Sequence, residues 1–147
     1  MSATQPVSYK NILQVLVALS VILLASCGVV PKNYPAKRPF VFKYNVEVNG
    51  NLPSEEKSLL ESRLSNQLDD SIKVRSARRL IYKGINRPVL DRPPVYDVNN
   101  AEKSVLFMQA LLRALGYFKD TITYTATIDT VGDNQYRTTV KFTVVLY

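Results

Sequence analysis

The sequence predicts one α+β domain behind an amino-terminal leader, with its elements in the order strand, helix, helix, strand, strand. Three observations predict it. Apolar and polar residues alternate in three separate segments, which is typical of half-buried strands. Leucine-rich runs with helical spacing lie between the first and second of these segments. The 147 residues, 46% hydrophobic and 21% charged, are enough for one ordinary core.

Residues 1–26 are predicted to be a signal peptide. Lys10 ends a short polar leader, residues 12–24 are almost wholly apolar, and small residues follow. A membrane-spanning helix needs roughly 20 apolar residues, so a permanent span is the weaker interpretation. The residues Leu24, Ala25, Ser26 and Cys27 resemble a bacterial lipobox, which implies a lipid on the Cys27 thiol and cleavage just before it. The alternative is a general signal peptide with a chance cysteine.

The side-chain inventory argues against an enzyme. Cys27 is the only cysteine and the sequence has no His, so it offers neither an internal disulfide nor an imidazole for a metal site or a catalytic triad. The pairs Glu55-Glu56 and Asp69-Asp70 are interpreted as dipole and capping residues at helix ends, because helix neighbours point in different directions. We therefore expect no catalytic residues, no metal and no cofactor beyond the covalent lipid.

Residues 27–39 are predicted to be a tether between the lipid and the domain. Pro31–Pro39 holds three prolines and three basic residues, which favours a semi-extended, solvated chain. Contact of these charges with anionic head groups is the alternative role. The formal net charge of +7 would suggest nucleic acid or an anionic membrane as partner, and export excludes nucleic acid.

The domain is predicted to span residues 40–147 and to begin with a strand and a helix. The helix should run from about Pro53 to Leu68, with Glu55 and Glu56 at its positive end. Even positions of the strand form its predicted buried face: Phe40, Phe42, Tyr44, Val46 and Val48. The predicted buried stripe of the helix contains Leu60, Leu64 and Leu68, with Leu59 beside them.

Residues 72–94 are predicted to form a long basic connection. Seven basic residues there accompany one acid, Asp91, and Gly84 and three prolines interrupt regular structure. Short strand pieces are expected at Ile72 to Val74 and at Leu80 to Tyr82. The basic segment is interpreted either as a contact for anionic lipid or an acidic partner, or as a solvated surface loop.

The second helix is predicted to start at the N-cap Asn99 and to end at Gly116. The Glu102 side chain is expected to accept a hydrogen bond from the backbone amide of the N-cap residue. Tyr117 and Phe118 are expected to fold back beneath its last turn. Its predicted apolar face contains Val105, Met108, Leu111, Leu112 and Leu115.

Two alternating strands complete the domain as a hairpin. Residues Thr121 to Asp129 should bury Ile122, Tyr124, Ala126 and Ile128, with threonines on the other face. The last strand, Gln135 to Tyr147, follows a Gly132-Asp133-Asn134 turn. If it is central, the three strands form a mixed sheet covered on one face by two helices.

The element order, with a helix running into Gly116-Tyr117-Phe118 and then an alternating strand, resembles a POTRA domain. Pro93-Pro94-Val95-Tyr96-Asp97, the helix through Ser104 and Leu115-Gly116-Tyr117-Phe118 together resemble the first POTRA domain of TamL-like lipoproteins in the BamA/TamA family. We interpret Pro93, Pro94, Gly116, Tyr117 and Phe118 as structural, since a proline pair sets the entry into a helix and a glycine ends one.

The resemblance implies a lipid-anchored, periplasm-facing module that assists assembly or translocation of outer-membrane proteins. The implied partners are the outer-membrane bilayer, through the anchor, and unfolded outer-membrane proteins or subunits of the assembly machinery. Because no barrel follows Tyr147, we expect the chain to be part of a larger factor. The alternative is a free-standing structural or accessory lipoprotein without an assembly role.

The strand with Thr121, Thr123, Thr125 and Thr127 is predicted to lie at an edge of the sheet. Such an edge can accept an extended peptide by strand addition. The alternative is an edge strand that accepts no peptide, because the charged residues at its ends, Lys119, Asp120 and Asp129, disfavour pairing with another strand. Proline at whichever of Thr123 or Thr125 has an outward amide should keep the fold and weaken peptide binding.

Overall fold

The computed structural model describes Gln14 and residues 28–82, 85–132 and 134–147, and within these ranges the chain forms six strands and two helices. The predicted signal peptide lies outside the described residues except for Gln14, as do the lipobox and Cys27. The elements in chain order are β1 (Val30–Lys32), β2 (Pro39–Asn49), α1 (Ser54–Asn66), β3 (Ser76–Tyr82), β4 (Ile85–Asp91), α2 (Val98–Ala114), β5 (Asp120–Val131) and β6 (Gln135–Leu146).

The main sheet contains the three strands that the sequence predicts for it. Its strand order is β2-β6-β5, with β2 parallel and β5 antiparallel to the central β6. Two helices and a mixed three-stranded sheet therefore make the domain α+β, as predicted. The hairpin turn between β5 and β6 contains Gly132 with a φ of 66°, a backbone conformation that glycine adopts without strain.

Both helices cover one face of this sheet. α1 lies nearest β2 and α2 nearest β5. Leu60 and Leu64 of α1 are buried as predicted, and Leu68 is buried just after the helix, which ends at Asn66 and not at Leu68, whereas Leu59 is exposed. The main core contains Val46, Val48, Val140, Phe142 and Val144 of the sheet, together with Leu60, Leu64, Leu68, Met108 and Leu112.

The predicted buried face of β2 is wrong at Phe42, because the strand contains a β-bulge. The pairing with β6 shifts between Val41 and Lys43, so Val41, not Phe42, pairs on the core side next to Thr138. Phe40 is fully buried outside the main core, where its ring stacks on Tyr34 with centroids 5.3 Å apart. An extra residue reverses the alternation of a strand, which a period-two pattern cannot register.

The prediction for residues 72–94 was wrong in its main point, because this segment forms a second sheet. β3 and β4 are antiparallel and β1 pairs parallel with β4, which gives the strand order β1-β4-β3. The expected piece at 80–82 falls within β3, but residues 72–74 form no strand and Ile72 is buried in the main core. Since Val30–Lys32 belongs to this sheet, residues 27–39 are also not a continuous free tether.

The entry into α2 differs by two residues from the predicted one. Asp97 is the N-cap, and its Oδ1 accepts a hydrogen bond from the Asn99 amide at 2.9 Å. Buried Ser104 then ties α2 to the segment after α1, because its Oγ accepts from the Asp69 amide at 2.9 Å and donates to the Asn100 carbonyl at 2.8 Å. Both carboxylate and amide side chains are good caps, so composition alone did not separate Asp97 from Asn99.

Candidate functional site: an edge strand beside a groove

β5 lies at the edge of the main sheet. Among the described residues it pairs with β6 alone, from Asp120 opposite Leu146 to Val131 opposite Gln135. A strand in this position has one row of backbone groups without a ladder partner. This strand contains all four threonines that the sequence proposed for peptide binding.

One hydrogen bond shows which backbone groups face outward. The Tyr147 amide donates to the Lys119 carbonyl at 3.1 Å, continuing the β5–β6 ladder by one pair. Directly opposite residues in an antiparallel ladder alternate between bonded and non-bonded pairs. Odd-numbered residues of β5 therefore direct their amides to β6, and even-numbered ones, such as Ile122, Tyr124 and Ala126, direct theirs outward.

The four threonines consequently contribute exposed side chains and not open amides. Thr121, Thr123, Thr125 and Thr127 are all exposed. Neither Thr123 nor Thr125 has the outward amide that the proline test requires, because both are odd-numbered. The sequence did not show which residues of β5 direct their amides outward, since this depends on how β5 is paired with β6.

The helix covers only the first half of the β5 face. Ile122 and Tyr124 pack against the core, and the Tyr124 and Phe142 rings lie 5.9 Å apart. Ala126 and Ile128, which were predicted to be buried, are exposed, and all residues from 125 to 132 are exposed. The prediction failed here because the strand extends beyond the helix that covers its neighbours.

A groove of about 500 Å³ runs between α2 and β5. Leu106 of α2 forms part of the groove wall, and 63% of this large apolar residue is exposed to solvent. The apolar walls stand next to the outward amides of Ile122 and Tyr124, so backbone hydrogen bonding and side-chain burial are available at one place. The lining residues are Glu102, Val105, Leu106, Ile122, Thr123 and Tyr124.

No protein-family model matches the chain, and a search of curated proteins finds no significant match. The site is therefore interpreted from its own geometry.

The opposite edge of the sheet is partly closed. The Val41 amide donates to the Pro94 carbonyl at 2.9 Å, and the Tyr96 amide donates to the Pro39 carbonyl at the same distance. Farther along β2, the Val48 amide donates to a Glu61 carboxylate oxygen at 3.0 Å. The predicted structural pair therefore has a specific role: Pro93 is buried, and Pro94 holds the chain against the edge of β2 before α2 begins.

The predicted stop of α2 is confirmed. Gly116 has a φ of 91°, and the Tyr117 amide donates to the Leu112 carbonyl at 2.9 Å. Tyr117 is partly buried against the core and its hydroxyl donates to Glu56 at 3.1 Å; burial, then this carboxylate, raises the pKa of Tyr117. Phe118 is 78% exposed, so the expectation that it folds beneath the helix was wrong.

The outer face of the main sheet is polar. The Lys141 ammonium lies 2.6 Å from a Glu47 carboxylate oxygen, and this hydrogen-bonded ion pair lowers the pKa of Glu47. The Arg137 guanidinium lies 4.6 Å from the centre of the Phe42 ring, a cation–π geometry. This face shows charge pairing on a solvated surface, in contrast to the apolar groove beside β5.

The described part of the chain contains no cluster of three or more His, Cys, Asp or Glu side chains suited to a metal ion. Within residues 28–82, 85–132 and 134–147, together with Gln14, no helix has the length and apolarity to cross a membrane. Cys27, Leu24, Ala25 and Ser26 lie outside the described residues, so the lipidation site stays a prediction.

Proposed function

We propose that this chain is a lipid-anchored, POTRA-like module that binds extended polypeptide by strand addition to β5 and assists outer-membrane protein assembly. The observation that carries the proposal is the open edge of β5 beside the α2 groove. Main-chain pairing there is independent of client sequence, and the groove adds apolar contact for alternate side chains. A module that receives many unfolded clients needs this combination.

The arrangement of the main sheet supports the POTRA part of the proposal. Its strands and the two helices have the β-α-α-β-β order that the resemblance implies, with the parallel β2–β6 pair at one edge and the hairpin strand β5 at the other. The β3–β4 hairpin is an addition to that order, inserted between α1 and α2. The lipid anchor rests on the lipobox residues Leu24 to Cys27.

Ala126→Pro tests strand addition. Ala126 is exposed and its amide faces outward, so proline removes a free donor and places its ring in the path of an added strand. We expect the fold to survive and the affinity for an extended peptide of alternating apolar and threonine residues to fall about tenfold. Fluorescence anisotropy of the labelled peptide measures the affinity, and circular dichroism verifies the fold.

Two variants are matched controls. Ala126→Val keeps the amide and should bind as the parent does, whereas Thr125→Pro removes an amide of the β5–β6 ladder and should destabilise the domain. A folded Ala126→Pro variant with the affinity of the parent would show that peptide does not pair with β5. The free-standing accessory role would then be the better interpretation.

Cys27→Ala tests the anchor in the full chain. Without the thiol no acyl group can be attached, so we expect an uncleaved or soluble species without the mass of the lipid. Membrane fractionation and intact-mass measurement read these two properties. Unchanged fractionation with no difference in lipid mass from the parent would contradict the lipoprotein assignment.

A further inference from the structure

The sequence of β5 is nearly the same in both directions. From Thr121 to Thr127 it is Thr-Ile-Thr-Tyr-Thr-Ala-Thr, with Tyr124 at the centre and the apolar Ile122 and Ala126 in equivalent positions. When two identical strands pair antiparallel about a two-fold axis, residues at equal distances on the two sides of the centre lie opposite each other. Threonine then lies opposite threonine and an apolar residue opposite an apolar one, and such cross-strand pairs are favourable.

The charges at the ends of this segment select one register. When Tyr124 lies opposite Tyr124 of a second copy, Lys119 lies opposite Asp129, because each is five residues from the centre. The two-fold symmetry produces two such pairs of opposite charge, which stabilise antiparallel strands. Moving the centre by one residue in either direction places Lys119 opposite an uncharged residue. The charges therefore complement each other in the register centred on Tyr124.

Both charged side chains are available for this pairing. Lys119 and Asp129 are exposed, and neither side chain makes a hydrogen bond or an ion pair with another described residue. Arg137 lies opposite Asp129 on β6, but its guanidinium donates to Gln135 and lies over the Phe42 ring. A lysine of a second copy can therefore reach the Asp129 carboxylate from the open side of β5.

The backbone of β5 fits the same register. Its even-numbered residues direct their backbone groups outward, and the register centred on Tyr124 pairs even with even. Tyr124 would exchange two hydrogen bonds with Tyr124 of the second copy, and Ile122 would exchange two with Ala126. Registers that pair an even-numbered with an odd-numbered residue are excluded, because odd-numbered residues direct their backbone groups to β6.

The two halves of β5 also complement each other. α2 covers the first half of the strand, whereas Ala126 and Ile128 in the second half are exposed. Antiparallel pairing places the exposed half of one copy beside the covered half of the other. Ala126 then lies opposite Ile122, which lines the groove, and Ile128 lies diagonal to Ile122 on the same face. Apolar side chains that are exposed in one copy are thus covered at the groove of the other.

We propose that two copies of this chain pair antiparallel through β5, with Tyr124 at the two-fold axis, and that this dimer regulates the peptide-binding edge. The inference rests on the proposed function for its regulatory part, because the second copy occupies the backbone groups that a peptide would use. Peptide binding and dimerisation exclude each other. The dimer joins the two main sheets into one continuous sheet and leaves neither β5 edge open.

Cysteine cross-linking tests the register in the full chain, solubilised in detergent and carrying Cys27→Ser so that no other thiol is present. Thr123 lies opposite Thr125 of the second copy in a non-hydrogen-bonded pair, where the Cα atoms are about 4.5 Å apart and a disulfide can form. A mixture of Thr123→Cys and Thr125→Cys chains should form a mixed disulfide under mild oxidation. Mass spectrometry detects it.

Three controls belong to this experiment. Thr123→Cys or Thr125→Cys alone should cross-link far less, because two copies of the same cysteine lie diagonally, about 7 to 8 Å apart. Ser62→Cys, exposed on α1 near the other edge of the sheet, should not cross-link to Thr125→Cys. Efficient cross-linking of Thr125→Cys alone, without the mixed disulfide, would overturn the register centred on Tyr124.

Charge reversal tests the end pairs. Lys119→Asp or Asp129→Lys converts both symmetry-related pairs to like charges, so the dissociation constant of the dimer should rise about tenfold. An equimolar mixture of the two variants should dimerise as the parent does, because each altered side chain then meets an opposite charge. Arg63→Asp makes the same charge change at an exposed position of α1 and should have no effect. Sedimentation equilibrium in a density-matched detergent measures all four samples.

The outcomes separate the dimer from the proposed function. A parent chain that stays monomeric and forms no mixed disulfide overturns the dimer, even if fluorescence anisotropy shows that it binds peptide. A mixture of the charge variants that dimerises no better than either variant alone overturns the pairing of Lys119 with Asp129. A parent chain that dimerises, while monomeric Lys119→Asp binds no peptide, refutes the proposed function and the regulation inferred from it, and leaves the dimer.

Discussion

Leu112 of α2 should contribute more to stability than its neighbours along the helix. Its side chain is fully buried in the core between the helices and the sheet. Leu112→Ala removes the equivalent of three methylene groups, about 2.4 kcal/mol of transfer free energy. The facing strand β6 is held by β2 and β5 on both sides, so the cavity cannot close well. We expect a loss of about 3 to 4 kcal/mol, within the range of such substitutions.

Urea denaturation of the full chain, followed by far-ultraviolet circular dichroism, measures this loss. At a slope of about 1 to 3 kcal/mol per M, typical of small domains, the midpoint should fall by about 1 to 4 M. Arg113→Ala is the control, because Arg113 is exposed and alanine is a good helix former. Its effect should stay within about 0.5 kcal/mol. Equal effects of the two substitutions would refute the assignment of the buried helix face.

Three further substitutions test polar groups. Ser104→Ala leaves the Asp69 amide without its acceptor and should cost about 1 to 3 kcal/mol in urea denaturation, whereas an unchanged midpoint would contradict this bond. Thr138 is fully buried and its Oγ1 has no hydrogen-bond partner among the described residues. Thr138→Val should therefore raise the free energy of unfolding by about 1 kcal/mol. A decrease in the free energy of unfolding would show that the Thr138 hydroxyl does form a hydrogen bond. Because the pKa of Glu47 is lower in the folded state than its ordinary 4.5, its pairing with Lys141 stabilises the protein above that pH and is lost as pH falls through the folded-state pKa. The stability difference between the parent and Lys141→Met should therefore shrink in acid, and a pH-independent difference would refute the role of the pair.

Much of the main sheet was predictable because its elements repeat with the periods that burial imposes. The leucines at positions 60, 64 and 68 and the helix stop at Gly116 lie where the sequence placed them. The central position of β6 followed from requiring each element to reverse direction on its neighbour. The prediction of β5 as an edge strand followed in turn, and the strand order confirms it.

The details of that site were not predictable. The sequence selected the threonines of β5, but the open amides belong to the even-numbered residues, and the groove exists only because α2 lies beside Ile122 and Tyr124. Hydrogen-bond parity is a property of a strand pair, and a groove is a property of two packed elements. Neither is encoded in the period of one segment.

The amphipathic faces and the signals that start or stop helices follow from the order of residues alone, and the prediction of a leader ending before Cys27 rests on that order as well. The bulge at Phe42 and the second sheet arise only from tertiary pairing, in which Val30–Lys32 and Val89–Asp91 meet across almost sixty residues of chain. Proline and arginine weaken the strand signal of residues 72–94 in isolation. Backbone pairing with a distant segment outweighs that weak propensity, because strand stability depends on neighbouring strands more than on the residues of the strand itself.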